Sequence, residues 1–178
     1  LGRLVLSTSA RGITFSPDQK YLLVAGRGEL GLFDPSTRKL VRHFPNLGVG
    51  QILYAAFALD GNRIIAPAVW DSQVIIIDVK TGVVLERIIT GLDPVNVVIS
   101  KDGLKAFVSN ARSQYVSCID LRTYSHSKCV SAVGANGMTI GLRQAGLTER
   151  PSKVVFRPTI RFGATLPLSG RESYFGRE

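Results

Sequence analysis

Three glycines, Gly26, Gly28 and Gly31, have the spacing of a dinucleotide-binding fingerprint. In that chemistry the backbone amides cradle a pyrophosphate group at the amino terminus of a helix. Here Gly31 leads directly into the sequence LFDP (32–35), which predicts a strand closed by a turn. We therefore interpret the three glycines as the loop of a β-hairpin, and we expect no nucleotide site.

No other pattern in the chain predicts catalysis or metal binding. The spacings His-x-x-x-His, Cys-x-x-Cys and Gly-x-Ser-x-Gly would bring metal ligands or an activated nucleophile together, and none of them occurs in the 178 residues. We expect no catalytic residue, no metal and no cofactor.

The chain carries a net charge of +9, and its basic residues are most in excess after residue 120. They are spaced singly, without alternating aromatic residues, so we expect a solvated linker and no nucleic-acid partner. The longest apolar runs, such as residues 53–59 and 74–77, have the length of strands. None approaches the roughly 18 residues that span a bilayer, and we expect no direct membrane insertion.

One motif is repeated three times along the chain. Its copies are FSPDQKYLLVAG (15–26), FALDGNRIIAPA (57–68) and ISKDGLKAFVSN (99–110). An aspartate near the centre of each copy predicts a tight turn, and a second aspartate follows at the end of a later apolar run. Both aspartates recur at a nearly constant interval along the chain. The central aspartate of the three copies is Asp18, Asp60 and Asp102, and the later aspartate is Asp34, Asp78 and Asp120. We interpret all six as structural turn residues.

Each repeat is predicted to form four short strands. In the middle copy the second strand covers residues 63–66, the third ends at Asp78, and the turn KTG (80–82) leads to a fourth over residues 83–88. Four strands per unit and a period of roughly 40–45 residues are typical of a β-propeller blade. We predict an all-β fold, a partial β-propeller over residues 1–142. It has three blades and, at residues 133–142, the degenerate start of a fourth, too few blades to close a ring.

The connection between the second and third strands of each repeat is the best candidate for a ligand site, because such loops converge at one end of a propeller. The middle repeat places Trp70 and Gln73 there, and the third repeat places Arg112 and Gln114 in the equivalent loop. We predict that these four residues form a binding rim. The alternative is that Trp70 shields the edge of a blade.

The motifs FSPDQKYLLVAGRGELGLFD and GLDPVNVVISKDGLKAFVSNA resemble the YVTN-type propeller repeat and the propeller that carries d-type haem in respiratory nitrite reductases. The resemblance covers residues 8–140. A haem propeller implies an axial histidine, and the chain has two, His43 and His126. Both fall near a fourth strand, where we expect exposed polar residues. The chain lacks the Gly-His dipeptide of tryptophan–aspartate repeat propellers, and its Trp70-Asp71 pair precedes the third strand, which disfavours that class.

The composition changes after Leu142. Residues 143–159 are polar, basic and contain two prolines, which predicts a linker. The segment IRFGATLPLSGRESYFGRE (160–178) resembles the opening of periplasmic solute-binding proteins of the leucine/isoleucine/valine type, the receptors of ABC transporters. This resemblance implies the first strand of a truncated α/β domain, a periplasmic location and, through the missing receptor domain, contact with an ABC transporter permease. We expect the chain to be a piece of a longer protein.

Cys118 and Cys129 lie on either side of a turn predicted over residues 121–127. Antiparallel pairing of the flanking strands would bring the two thiols within reach of a disulfide bond, which an oxidising periplasm permits. Two buried free thiols are the alternative.

The function that we predict is a non-catalytic periplasmic binding or scaffold module linked to solute transport. Its partner would be a small-molecule ligand or another periplasmic protein. The rival function is an accessory or cofactor-bearing domain of a haem- or quinone-dependent redox system.

Overall fold

The computed structural model describes residues 9–131, which form three four-stranded antiparallel sheets. The first sheet has the order β1 (Gly12–Phe15), β2 (Leu22–Ala25), β3 (Leu30–Asp34) and β4 (Lys39–Phe44). The second has the order β5 (Ala56–Phe57), β6 (Arg63–Ala68), β7 (Gln73–Asp78) and β8 (Val84–Ile89). The third has the order β9 (Pro94–Ile99), β10 (Lys105–Asn110), β11 (Tyr115–Asp120) and β12 (His126–Ser131). Within residues 9–131 the one helical element is a 3-10 turn, Val69–Asp71.

The predicted partial β-propeller with four strands per repeat is confirmed. Each sheet is a simple meander, and the strands of the middle repeat predicted over 63–66 and 83–88 correspond to β6 and β8. The start of a fourth repeat at 133–142, the linker at 143–159 and the segment 160–178 lie outside the described residues.

The three sheets pack face to face, and the middle sheet is buried on both faces. Its residues Ile64, Ala66, Ile75 and Ile77 pack in one apolar cluster with the first sheet. Its residues Ile65, Val74 and Ile76 pack in a second cluster with the third sheet. Because successive side chains of a strand point to opposite faces, a strand between two neighbours is apolar at every position, as the run VIII (74–77) is.

The connections of each meander alternate between two opposite edges of its sheet. We call one the turn edge: it carries the first connection, which contains the first repeated aspartate, and the third connection, which directly follows the second repeated aspartate at the end of a strand. We call the other the loop edge: it carries the second connection of each sheet and the segments that join one sheet to the next. The predicted binding rim belongs to the loop edge.

The aspartates of the turn edge accept hydrogen bonds within their own turns. Asp18 Oδ1 accepts from Ser16 Oγ at 2.6 Å, and Asp102 Oδ1 accepts from Ser100 Oγ at 2.5 Å. In the third connection Asp34 Oδ1 accepts from both the backbone N and the Oγ of Ser36, at 2.8 and 2.6 Å. The hydroxyl of Ser36 lowers the pKa of Asp34 to about 2, because these bonds stabilise the charged carboxylate.

The equivalent carboxylates are held in the same way. Asp60 accepts from the backbone N of Asn62 at 2.9 Å, and Asp78 from the backbone N of Thr81 at 2.6 Å. Asp120 accepts from the backbone N of Arg122 at 2.9 Å, and the side chain of Arg122 depresses the pKa of Asp120. The contacts of the six aspartates are those of turn residues.

Candidate ligand-binding edge

The three glycines of the apparent nucleotide fingerprint lie in the β2–β3 hairpin. Gly26 and Gly28 belong to its loop, Gly31 lies inside β3, and no helix follows them. Gly28 has a φ of 68°, and a Cβ atom there would lie 2.5 Å from the carbonyl O of Val49. Glycine is therefore required at this position for the close packing of two backbones rather than for a phosphate group.

The segment that joins the first two sheets, residues 45–55, runs along the loop edge and ties their loops together. The backbone N of Leu47 donates to the carbonyl O of Gly28, and the backbone N of Ile52 donates to that of Gly26, both at 3.3 Å. On the other side the backbone N of Val69 donates to the carbonyl O of Gln51 at 2.9 Å. The loops of two neighbouring sheets are thereby held in fixed relation.

Trp70 stands at this junction and is 60% exposed. Its ring lies against Gly50, where an added Cβ atom would be 2.6 Å from the ring atom Cε3. The backbone N of Gly50 donates to Asp71 Oδ2 at 2.8 Å, which fixes the turn that carries the indole. The guanidinium of Arg27, from the loop of the first sheet, lies 5.4 Å from the ring centroid, a cation–π contact. Trp70 is thus both fixed and open to solvent.

The other three residues of the predicted rim also lie on the loop edge. Gln73 opens β7 and is half-buried, whereas Arg112 and Gln114 are exposed in the equivalent loop of the third sheet. Arg112 occupies the position of Trp70 one repeat later, and its Nε lies 3.6 Å from Asp93 Oδ2. The contacts to Trp70 described above come from Arg27 and Gly50. Sequence reasoning missed both residues, although Arg27 lies in the loop equivalent to that of Trp70.

Gln51 adds a buried polar group beside the Trp70 turn. Its side chain is 7% exposed, and its Nε2 donates no hydrogen bond to any of the residues 9–131. The backbone of Gln51 is hydrogen-bonded to the Trp70 turn, whereas its side-chain amide nitrogen is not accessible from the surface.

The two histidines lie in β4 and β12, the fourth strands of their sheets, near which they were predicted to fall. His43 Nε2 lies 2.7 Å from Oε2 of the buried Glu29. His126 Nε2 lies 2.9 Å from Ser117 Oγ, and burial lowers the pKa of His126. The Nε2 atom of each ring is thus engaged by a neighbouring side chain. In the described part of the chain no three His, Cys, Asp or Glu side chains are grouped so that they could hold a metal ion.

Cys118 of β11 and Cys129 of β12 are joined by a disulfide bond, with their Cα atoms 5.6 Å apart. The two cysteines are not directly opposite each other, because Cys118 pairs with Ser127. Val116 pairs with residue 130 and Ser117 with residue 128, so Cys129 lies in a β-bulge between these two pairs. Cys129 is exposed. The bond therefore links the edge strand β12 to its neighbour β11 across a bulge.

Comparison with solved structures supports the architecture. Hydrazine synthase of Kuenenia stuttgartiensis is similar with a TM-score of 0.64 at 20% identity, over 75% of this chain and 41% of that one. A structure of U3-55K has a TM-score of 0.63 at 11% identity, over 70% of this chain and 39% of the other. The WD40 repeats of RRP9 have a TM-score of 0.63 at 11% identity, over 74% and 41%. The chain is a partial β-propeller.

These likenesses concern the fold alone, and the chain spans about two fifths of the length of the structures that it matches. No family model and no curated protein matches this sequence. Among residues 9–131 there is no helix with the length and apolar character of a membrane span.

Proposed function

We propose that this partial propeller is a non-catalytic binding module whose ligand contacts the loop edge at Trp70. The observation that carries the proposal is the state of this side chain, which is 60% exposed yet held by Gly50 and Arg27. Binding surfaces are enriched in Trp and Arg, and a pre-positioned aromatic ring loses little conformational entropy when a partner covers it.

The surroundings of Trp70 suit a ligand with both an apolar part and a polar group. The indole offers a flat apolar surface, and the guanidinium of Arg27 places a positive charge beside it. Specific sites commonly combine an apolar lining with a few fixed polar groups. The candidate ligands are a small molecule with a carboxylate or carbonyl acceptor, or a protein partner that presents such a group.

We further propose that the module works in the periplasm beside an ABC transporter receptor. The support is the resemblance of residues 160–178 to the opening of a solute-binding protein, together with a disulfide bond that would be stable in an oxidising compartment. In this arrangement the propeller would bind a ligand or a partner, and the missing receptor domain would contact the permease.

The single tryptophan of the chain makes this site directly measurable. Branched-chain amino acids and other small carboxylic acids are titrated into the purified chain while Trp70 fluorescence is recorded, and affinities are measured by calorimetry. For a ligand that binds, Trp70→Ala should raise the Kd about tenfold or more, as loss of a central aromatic contact does. Arg122→Ala, an exposed change on the turn edge, should leave the Kd unchanged.

A ligand that binds with equal affinity to the wild-type and Trp70→Ala proteins would contradict the assignment of the site. An absorption spectrum of the purified full-length protein distinguishes this binding function from the rival redox function. A Soret band would favour a haem-linked role.

A further inference from the structure

The three sheets carry a basic side chain at the same position of their fourth strand. In each sheet this residue pairs with the one that lies three positions before the second repeated aspartate. The three basic residues are His43, Arg87 and Lys128. Since alternate residues along a strand point to the same face, each basic residue shares a face with the residue five positions before that aspartate. Those residues are Glu29, Gln73 and Tyr115, in the same order.

In the first and third sheets this neighbour engages the basic side chain. His43 Nε2 lies 2.7 Å from Glu29 Oε2. Lys128 Nζ lies 4.6 Å from the centroid of the Tyr115 ring, a cation–π contact. Two of the three basic side chains are therefore paired within their own sheet.

Arg87 of the middle sheet has no such partner. The equivalent neighbour is Gln73, whose amide carries no charge, and among residues 9–131 Arg87 forms no ion pair. The carboxylate of Glu86 accepts from the backbone N of Arg87 at 3.1 Å, not from its guanidinium. Nη2 of Arg87 donates to the carbonyl O of Leu47 at 2.7 Å. The residue is exposed, and a guanidinium has five N–H donors, so the charge is held in place and can still bind an anion.

The bond to Leu47 brings Arg87 to the segment against which Trp70 lies. Nη2 of Arg87 is 3.0 Å from the position of a Cβ atom added to Gly48, and Cε3 of Trp70 is 2.6 Å from that of a Cβ atom added to Gly50. Gly48 and Gly50 are two positions apart, so their Cα atoms are separated by about 7 Å at most. This spacing suits a small molecule whose charged group and apolar group are a few bonds apart.

We propose that Arg87 is the anion-recognition residue of the loop edge, and that the ligand is a small carboxylic acid with an apolar group. The carboxylate accepts hydrogen bonds from the guanidinium, which matches its planar geometry, and the apolar group covers the indole of Trp70. Asp71 brings one negative charge to the segment through its bond to Gly50, and the guanidinium of Arg27 offsets it. The inference rests on the proposed ligand site at Trp70.

The test compares an acid with its uncharged amide. 3-Phenylpropionate and 3-phenylpropionamide are titrated into the purified chain by calorimetry, and we expect the acid to bind more tightly. Arg87→Gln should raise the Kd of the acid about tenfold or more, because charge-assisted hydrogen bonds are lost, and should leave the Kd of the amide unchanged. Arg122→Gln removes the same charge from the turn edge and should change neither Kd.

Trp70→Ala distinguishes this inference from the proposed function, because it should weaken the binding of both compounds. An acid that does not bind, that binds no more tightly than the amide, or that binds equally to wild-type and Arg87→Gln proteins would overturn the role of Arg87. If Trp70→Ala still weakens the amide in those cases, the ligand site itself stands. Far-UV circular dichroism checks folding. If Arg87→Gln does not fold, Arg87→Lys decides: it keeps the charge but not the planar donors, and an unchanged Kd for the acid would contradict the proposal.

Discussion

At the scale of single residues, the position of Trp70 depends on a neighbour that has no side chain. Gly50 lets the indole lie against the backbone of the segment that joins two sheets, while Arg27 contacts the ring from the adjacent loop. A fixed aromatic ring on a surface is thus produced by three residues from three different connections. The consequence is that the site can be altered without touching the tryptophan.

Gly50→Ala tests this arrangement. The new Cβ atom would lie 2.6 Å from Cε3 of Trp70, so the ring must shift, and we expect a change in the emission maximum of the single tryptophan and weaker ligand binding. Gly61→Ala is a control on the turn edge: its Cβ meets nothing, but its φ of 70° makes it destabilising by about 1 kcal/mol. An unchanged Trp70 spectrum in Gly50→Ala would contradict the contact.

The turn aspartates make stability depend on pH in the acid range. The pKa of Asp34 is about 2 in the folded chain, below the ordinary value of 3.8, because Ser36 donates to its carboxylate. A lowered folded-state pKa stabilises the fold above pH 4, and this contribution is lost as the pH falls from about 4 to 2. Urea unfolding midpoints measured across this range should fall more steeply for the wild type than for Asp34→Asn.

Ser36→Ala should raise the pKa of Asp34 toward its ordinary value, which NMR titration of the carboxyl carbon would show. A pKa that stays near 2 in this variant would mean that another group, and not the hydroxyl, stabilises the carboxylate.

At the scale of elements, the β11–β12 hairpin of the third sheet differs from the corresponding hairpins of the other two sheets, β3–β4 and β7–β8, because a disulfide bond links its strands. The bond between Cys118 and Cys129 spans 11 positions of sequence and holds the edge strand β12 to β11 across the bulge. The sequence spacing allowed such a bond, but the bulge that offsets the two cysteines could not be predicted from the pattern. Bulges depend on the local fit between strands rather than on the alternation of residue types.

Reduction of this bond should lower the free energy of unfolding by about 3 kcal/mol, the chain-entropy value for a loop of this size. Thermal unfolding with and without dithiothreitol measures the loss, and alkylation followed by mass spectrometry counts the thiols. Two alkylated thiols in the unreduced protein would show that the bond is absent.

The features that could be predicted from the sequence are those that repeat locally along the chain. The strands followed from the regular spacing of the three repeats, because apolar runs and turn aspartates are local signals. The site was only partly predictable. Trp70 and Arg112 stand out by residue type, but the contact between Arg27 and Trp70 crosses from one repeat to the next. Such contacts depend on how neighbouring sheets are placed, which periodicity does not encode.

At the scale of the whole molecule, the middle sheet contributes to the apolar core of both neighbouring sheets. Ile76→Ala, a fully buried change in the junction with the third sheet, should cost about 2–5 kcal/mol. Ile77→Ala in the junction with the first sheet should cost a similar amount. Ile89→Ala, at an exposed position of the same sheet, should change stability by less than about 0.5 kcal/mol.

Denaturant unfolding followed by both Trp70 fluorescence and circular dichroism measures these changes. Since the sheets share their cores, the two signals should report one transition. Separate transitions would show that the sheets unfold independently.

The separation of the turn edge from the loop edge has an evolutionary and practical consequence. The hairpins at one end are closed by short-range bonds to aspartate carboxylates and between backbone groups, and the connection between the second and third strands at the other end takes no part in them. The three sheets already carry unlike sequences of equal length there: GRGE (26–29), VWDS (69–72) and ARSQ (111–114). New specificities can therefore be introduced at position 70 while the framework beneath it, including the bond from Gly50 to Asp71, is kept.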